Sequence, residues 1–359
     1  MGGRALFLIA ALVAAQLGGP AIAGQVGERH LTTMNPTAVS RDAEHRDTVR
    51  VTIWYPASPD AKEVSLDIGP PGKALFKVGS AAPGAGFADN RRRPVILFSH
   101  GFGGTARMMA WFTLPLARAG YVVIAVEHPG NNATDKMTVS GAAMLWDRPG
   151  DLAAALGAAR ADPTIGPHLD LGRLGVAGFS AGGFTSLLAS GARVDVARLQ
   201  AFCNANPTDG VCRPQKEFPL STPRMLAALT SPELAPEAAH SGDDHSVHGV
   251  RAAFAIAPAP VQMLDPASLK ADETPVAIIL GDADPVAAPD TNGRLAARDL
   301  PHVELEVLPG VGHYDFLATC TPAGVAAVPA CADKVAQDPT HQAAIDMALA
   351  FFARTLGVP

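Results

Sequence analysis

Short apolar runs punctuate the chain, each about as long as one strand and each closed by a turn or a polar residue. Pro94-Val95-Ile96-Leu97-Phe98, Tyr121-Val122-Val123-Ile124-Ala125-Val126, Leu174-Gly175-Val176-Ala177, Ala252-Ala253-Phe254-Ala255-Ile256-Ala257 and Pro275-Val276-Ala277-Ile278-Ile279-Leu280 have this form. A strand without polar alternation is covered on both faces, as in a parallel sheet sandwiched by helices. Helical patterns fill the gaps, at Arg107 to Ala119, Asp151 to Arg160 and Gly183 to Ser190. A final helix repeats Ile345, Leu349, Phe352 and Leu356, a stripe that packs on the sheet. This alternation predicts an α/β fold with a doubly wound, mostly parallel sheet and ligands at the carboxyl ends of its strands. Thr48 to Tyr55 reads as an edge strand of an antiparallel start, and Val303 to Leu308 alternates as a further strand. Residues 58–92 read as a long Gly/Pro-rich surface connection. Residues 192–250, with a short helix near Arg224 to Leu229, read as an insertion that covers the cleft as a lid or cap. No internal repeat is visible.

Chemistry enters where one strand meets its helix, at Gly178-Phe179-Ser180-Ala181-Gly182. A serine at a sharp strand-to-helix turn needs glycine on both sides, because a side chain there would collide with neighbouring backbone. Such a turn pushes the hydroxyl into a cleft, with the helix N-terminus behind it. A serine hydroxyl is too weakly acidic to act unaided, so a base and an orienting carboxylate are expected downstream. Gly281-Asp282-Ala283-Asp284-Pro285-Val286 follows one strand, and Pro309-Gly310-Val311-Gly312-His313 follows the next. We take Ser180 as candidate nucleophile, His313 as base and Asp284 as acid, with Asp282 as a turn-stabilising competitor. Upstream, Ser99-His100-Gly101-Phe102-Gly103-Gly104 leaves a strand end, and its glycines let backbone approach a substrate. The N–H groups of Phe102 and Ala181 are the candidate oxyanion donors. His100 is a rival base beside that loop and His128 ends another strand, and for both a hydrogen-bonded scaffold role is the simpler reading. Trp111, Trp146, Phe184, Tyr314 and Phe316 are read as core before pocket lining.

Taken in order, Val51-Thr52-Ile53-Trp54-Tyr55-Pro56-Ala57, the His100 loop, Glu127-His128-Pro129-Gly130-Asn131, the serine turn, the Asp284 loop and Gly312-His313-Tyr314-Asp315-Phe316 resemble the bacterial relatives of platelet-activating-factor acetylhydrolase. These are often labelled predicted dienelactone hydrolases. The resemblance covers roughly residues 30–355 and implies the α/β-hydrolase fold. It implies the same roles for Ser180, Asp284, His313, Phe102 and Ala181, and short or oxidised acyl chains on phospholipid-like or other small esters. That family's turn more often reads Gly-His-Ser-x-Gly-Gly, and Phe179 replaces its histidine. Dienelactone hydrolases proper use cysteine where this chain has Ser180.

Composition narrows the picture. With 359 residues and 48% hydrophobic content the chain can bury one sizeable core, and residues 24–359 read as one catalytic domain. Residues 1–23 carry Arg4, an apolar stretch and Ala21-Ile22-Ala23, the pattern of a secretory leader cleaved after Ala23. The expected location is secreted or periplasmic, with no membrane-spanning segment in the mature chain. Four cysteines in an exported chain favour disulfides, and proximity favours Cys203 with Cys212 and Cys320 with Cys331. The net charge of −6 does not suggest a nucleic-acid partner. The His240 to His248 stretch matches no strong zinc spacing and reads as a solvated loop, so no metal is expected. The expected activity is that of an exported serine carboxylic ester hydrolase that works on a small-molecule ester through an acyl-enzyme and without a cofactor. A serine peptidase or acyltransferase would use the same three residues, and a non-catalytic binding protein is the remaining alternative.

Overall fold

The computed structural model of the chain describes residues 24–332 and 337–358. The expected leader, residues 1–23, lies outside the described residues. The strands, in chain order, are β1 (Gln25–Met34), β2 (Thr48–Ala57), β3 (Val64–Ser65), β4 (Phe76–Lys77), β5 (Ser80–Pro83), β6 (Arg93–Ser99), β7 (Val122–Glu127), β8 (Leu169–Phe179), β9 (Val250–Ile256), β10 (Val276–Gly281), β11 (Val303–Leu308) and β12 (Thr319–Cys320). Ten of them form one sheet in the order β11-β10-β9-β8-β6-β7-β2-β1-β5-β3. The six strands from β11 to β7 are mutually parallel, while β2 runs antiparallel to β7 and β1 antiparallel to β2. The doubly wound, mostly parallel sheet is therefore present.

Residue-by-residue alternation explains the apolar runs. In β6, Val95 and Leu97 enter one core while Ile96 and Phe98 enter the other. In β10, Val276, Ile278 and Leu280 face the first, Ala277 and Ile279 the second. Helices Arg148–Ala161 and Ala181–Ser190 cover the first face, and helices Ala110–Arg118 and Gln337–Leu356 the second. In the last helix Ile345, Phe352 and Leu356 are buried, while Leu349 is half-buried. Both faces are lined, so neither face of these strands needs polar residues.

One expectation requires correction: β2 is not an edge strand. β1 pairs with it over its whole length, from Gln25 opposite Ala57 to Met34 opposite Thr48. Mixed polarity in Gln25-Val26-Gly27-Glu28-Arg29-His30 hides β1, because its partly exposed face carries charged groups. Within residues 58–92, β3, β4 and β5 add short pairings to a segment read as a loop. Among the described residues, no helix is long and apolar enough to cross a membrane.

Residues 192–250 carry helices Val196–Ala205, Thr222–Ala228 and Ala235–Ala238. Leu199, Val211, Met225 and Leu226 from this segment join the first core. A disulfide links Cys203 to Cys212, with Cα atoms 5.3 Å apart, and a second links Cys320 to Cys331 at 5.9 Å. Each closes a short loop and restricts the unfolded chain. Replacing Cys203 and Cys212 by serine is expected to lower unfolding free energy by about 2–3 kcal/mol, read from denaturant midpoints. An unchanged midpoint would contradict that stabilisation.

Candidate active site

Ser180 caps β8 in a conformation that few side chains tolerate, φ 56° and ψ −116°. Tertiary hydrogen bonds hold it there: its N–H donates to Ile256 O at 2.8 Å, and its carbonyl accepts from Ala259 N at 3.2 Å. The flanking glycines have a specific steric reason. A Cβ at Gly182 would strike the Ser99 carbonyl, and one at Gly178 would strike the Gly182 carbonyl. The serine turn, the loop after β6 and the sheet are thus pressed together with no room for a methyl group.

His313 Nε2 lies 2.9 Å from Ser180 Oγ, and its Nδ1 lies 2.6 Å from Asp284 Oδ2. All three side chains are buried. The remaining Asp284 oxygen accepts the N–H groups of Val286 and Ala287, each at 2.8 Å. Burial pushes the Asp284 carboxyl up, but His313 and the two N–H donors outweigh it and hold the group below the usual carboxylate range. Asp282 is exposed and accepts Gly310 N–H at 2.6 Å, which closes the turn ahead of His313. Phe179 packs against the His313 ring, with centroids 4.9 Å apart, and its ring edge meets Gly101. The aromatic side chain ties the serine turn to the loop after β6. The arrangement can move a proton from serine to imidazole while a fixed carboxylate stabilises the resulting cation.

The loop after β6 is pinned from behind. Asn131 Oδ1 accepts Gly103 N–H at 2.7 Å, and Arg148 Nη1 donates to His100 O at 2.9 Å. Among the described residues, the Phe102 and Ala181 N–H groups have no acceptor within the protein. His100 is fully buried, with Nδ1 2.7 Å from Gly101 O and Nε2 accepting His128 N–H at 3.2 Å. His128 is equally buried and joins a polar chain: Ser99 Oγ to Nε2 at 2.8 Å, and Nδ1 to Asp151 Oδ2 at 2.8 Å. Arg41 grips both Asp151 oxygens at 2.8 Å. Burial would raise the Asp151 carboxyl, yet Arg41 and His128 hold it well below the ordinary range. Burial, then the Arg148 charge, brings His128 down to about 3, and burial likewise keeps His100 well below its usual value.

Two cavities meet at Ser180. One, of about 70 Å³, is almost wholly apolar, and Leu145, Leu199, Met225, Leu226 and Met263 help enclose it. The other, of about 280 Å³, is bordered by His313, Tyr314, Glu217, Met108 and Leu317. Phe102 borders both, while Ala181 borders only the first. Lys216 Nζ sits 4.7 Å above the Tyr314 ring, which brings the 192–250 segment over the His313 loop. Tyr314 therefore lines a cavity, whereas Trp111, Trp146, Phe184 and Phe316 are buried in the cores. His240 and Asp243 pair at 2.9 Å on the exposed surface, and among the described residues no group of three His, Cys, Asp or Glu side chains could hold a metal ion.

Asn131, Arg148, Asp151 and Arg41 escaped sequence reasoning. A signal was present: Asp147-Arg148-Pro149-Gly150-Asp151 places charges inside an otherwise apolar stretch, where only inward polar partners account for them.

The chain belongs to the alpha/beta hydrolase family, whose sequence profile matches residues 96–328. A ferulic acid esterase from Streptomyces cinnamoneus has a similar structure, with TM-score 0.61 over 94% of this chain and 92% of that one, at 18% identity. At that identity the likeness speaks for the α/β-hydrolase fold alone. No curated protein matches the sequence.

The buried neutral histidines set an acid limit on stability. Unfolded imidazoles take up protons below about 6.5, whereas folded His128 resists until about 3. In that window the unfolded state binds more protons, so stability falls as pH falls, by about 1.4 kcal/mol per pH unit for each such group. Buried Glu127, raised to about 7, and Asp147, raised to about 6, contribute with the opposite sign in part of this window, so the check is made on the residue itself. The His128 ring signals in NMR are expected to stay those of a neutral imidazole from about pH 7 to about pH 4, and a titration near 6.5 would contradict its neutral burial.

Proposed function

We propose that this protein is a serine carboxylic ester hydrolase that works through an acyl-enzyme. The observation that carries the reading is the hydrogen-bonded sequence Ser180, His313, Asp284 at the junction of two cavities. His313 takes the hydroxyl proton as Ser180 Oγ bonds to the ester carbonyl carbon. The carbonyl oxygen becomes an oxyanion held by the Phe102 and Ala181 N–H groups, each worth about 3 kcal/mol in the transition state. Collapse breaks the bond to the alcohol oxygen, which leaves with the proton from His313. Water then repeats the cycle on the acyl-enzyme, with Asp284 orienting His313 throughout. None of these steps calls on a metal or an organic cofactor.

The position of the base assigns the cavities. His313 must protonate the departing alcohol, so the larger cavity that it borders takes the leaving group and the smaller takes the acyl chain. An acyl cavity of about 70 Å³ is well below the roughly 150 Å³ that admits a benzene ring, which favours short aliphatic acyl groups over an aromatic acid such as ferulate. The larger side suits a bulkier alcohol, in keeping with the resemblance to platelet-activating-factor acetylhydrolase relatives and with phospholipid-like esters. We read residues 192–250 as a cap, since their side chains enclose the acyl cavity. We read residues 1–23 as a secretory leader, and two disulfides fit an oxidising compartment outside the cytoplasm.

Turnover of p-nitrophenyl esters from acetate to palmitate, with a ferulate ester beside them, tests the reading. Expected is a maximum at short acyl chains, full activity in EDTA, and a loss on the order of a millionfold in kcat for Ser180→Ala. No turnover of any ester, or equal turnover by Ser180→Ala, sinks the proposal. Met225→Ala enlarges the acyl cavity, and its chain-length optimum is expected to move to longer esters; an unmoved optimum would contradict the cavity assignment.

A further inference from the structure

Arg148 opens a helix beneath the oxyanion loop and is 1% exposed. The two carboxylates beside it in sequence are engaged elsewhere, Asp147 with Arg41 at 3.6 Å and Asp151 with Arg41 and His128, and Glu127 is near enough to act on it through charge but forms no ion pair with it. Arg148 itself has no ion-pair partner among the described residues, and its Nε has no acceptor. The hydrogen bonds it does make go to two consecutive carbonyls, His100 O at 2.9 Å and Gly101 O at 3.4 Å. Burying a guanidinium without a paired carboxylate is costly, and burial lowers its pKa to about 9. A packed apolar side chain would avoid that cost.

Peptide geometry gives the cation a role. Gly101 O also accepts from His100 Nδ1 at 2.7 Å and from Gly104 N at 3.1 Å, so this carbonyl is drawn inward by several donors. The peptide that follows is trans, since the cis bond among the described residues is Ala259-Pro260. In a trans peptide the carbonyl and the next N–H point in opposite directions. Holding Gly101 O toward Arg148 therefore turns the Phe102 N–H away from it, toward the cavities that Phe102 borders beside Ser180. A positive charge on the carbonyl end of an amide also polarises it and strengthens its N–H as a donor.

We propose that Arg148 is a positioning residue for the oxyanion site: its guanidinium orients and polarises the Gly101-Phe102 peptide so that the Phe102 N–H receives the charge that develops on the substrate oxygen. This rests on the ester-hydrolase reading above. Arg148 touches no reacting atom. Its planar fork reaches both carbonyls at once, which a lysine ammonium does less well. Asn131 does the matching work one residue further on, by fixing the Gly103 N–H.

The test compares wild type, Arg148→Met and Arg148→Lys, with active sites counted by fluorophosphonate labelling so that misfolded protein drops out. Steady-state turnover of a short-chain p-nitrophenyl ester is measured beside inhibition by an alkyl boronic acid, whose tetrahedral adduct places a negative oxygen in the oxyanion site. For Arg148→Met, kcat per labelled site is expected to fall about 10- to 100-fold with KM within about twofold, and boronate affinity to weaken in parallel. Arg148→Lys is expected to fall between the two. A purely structural arginine predicts a lower melting temperature with unchanged kcat per labelled site and unchanged boronate affinity, and that result overturns the proposal. Should Arg148→Met fail to fold, Arg148→Lys decides alone: reduced kcat and boronate affinity support the proposal, and wild-type values overturn it. Wild type that neither turns over esters nor labels at Ser180 would defeat the hydrolase reading, and this proposal with it.

Discussion

A backbone collision limit at the end of β8 governs this molecule. Gly182 lies against the carbonyl of Ser99, and Gly178 lies against the carbonyl of Gly182, so β6, β8 and the helix after Ser180 meet with no space for a Cβ. That closeness forces Ser180 to φ 56°, a conformation sustained by the hydrogen bonds to Ile256 and Ala259 rather than by local preference. It also fixes the distance between the serine turn and the loop that starts at His100. The candidate nucleophile and the candidate oxyanion donors share one contact, and the remaining parts of the site are arranged around it.

Buried polar groups complete what the glycines begin. Arg41, Asp151, His128 and Ser99 form a continuous chain from the segment after β1 to the last residue of β6. Every member is satisfied by its neighbours, which is the condition for a buried network to rigidify rather than weaken its surroundings. The chain resembles the one formed by Asp284, His313 and Ser180 in residue type and differs in setting. Ser99 is sealed under the loop with no access to substrate, so the same three side chains act as scaffold in one place and as candidate chemistry in the other.

The 192–250 segment contributes the shape of the cleft. Its side chains add apolar volume to the core that holds the Ala181–Ser190 helix, and its Lys216 reaches the Tyr314 ring beside His313. Gly210 meets the carbonyls of Pro285 and Val286 so closely that the segment is seated on the loop carrying Asp284. The 192–250 segment and the loop carrying Asp284 therefore share a boundary.

Local order was legible along the chain. Continuous apolar runs in β6, β7, β9 and β10 identify doubly covered strands, and the glycine pair around Ser180 identifies a turn that cannot be built otherwise. Strand-end loops bearing Asp284 and His313 follow from the same alternation, because the ends of parallel strands converge on one edge. β1 was not legible, since its charged face imitates a loop, and neither was the interior place of β2 that depends on it. Only the tertiary structure decided which of Asp282 and Asp284 turns inward, that His100 and His128 are sealed in hydrogen bonds, that Arg148 lies against the loop after β6, and that Arg41 pairs with Asp151. Periodicity records which face of an element is buried. The partner of a buried charge lies dozens of residues away, as Arg41 does from Asp151, and is set by how helices and loops pack across the sheet.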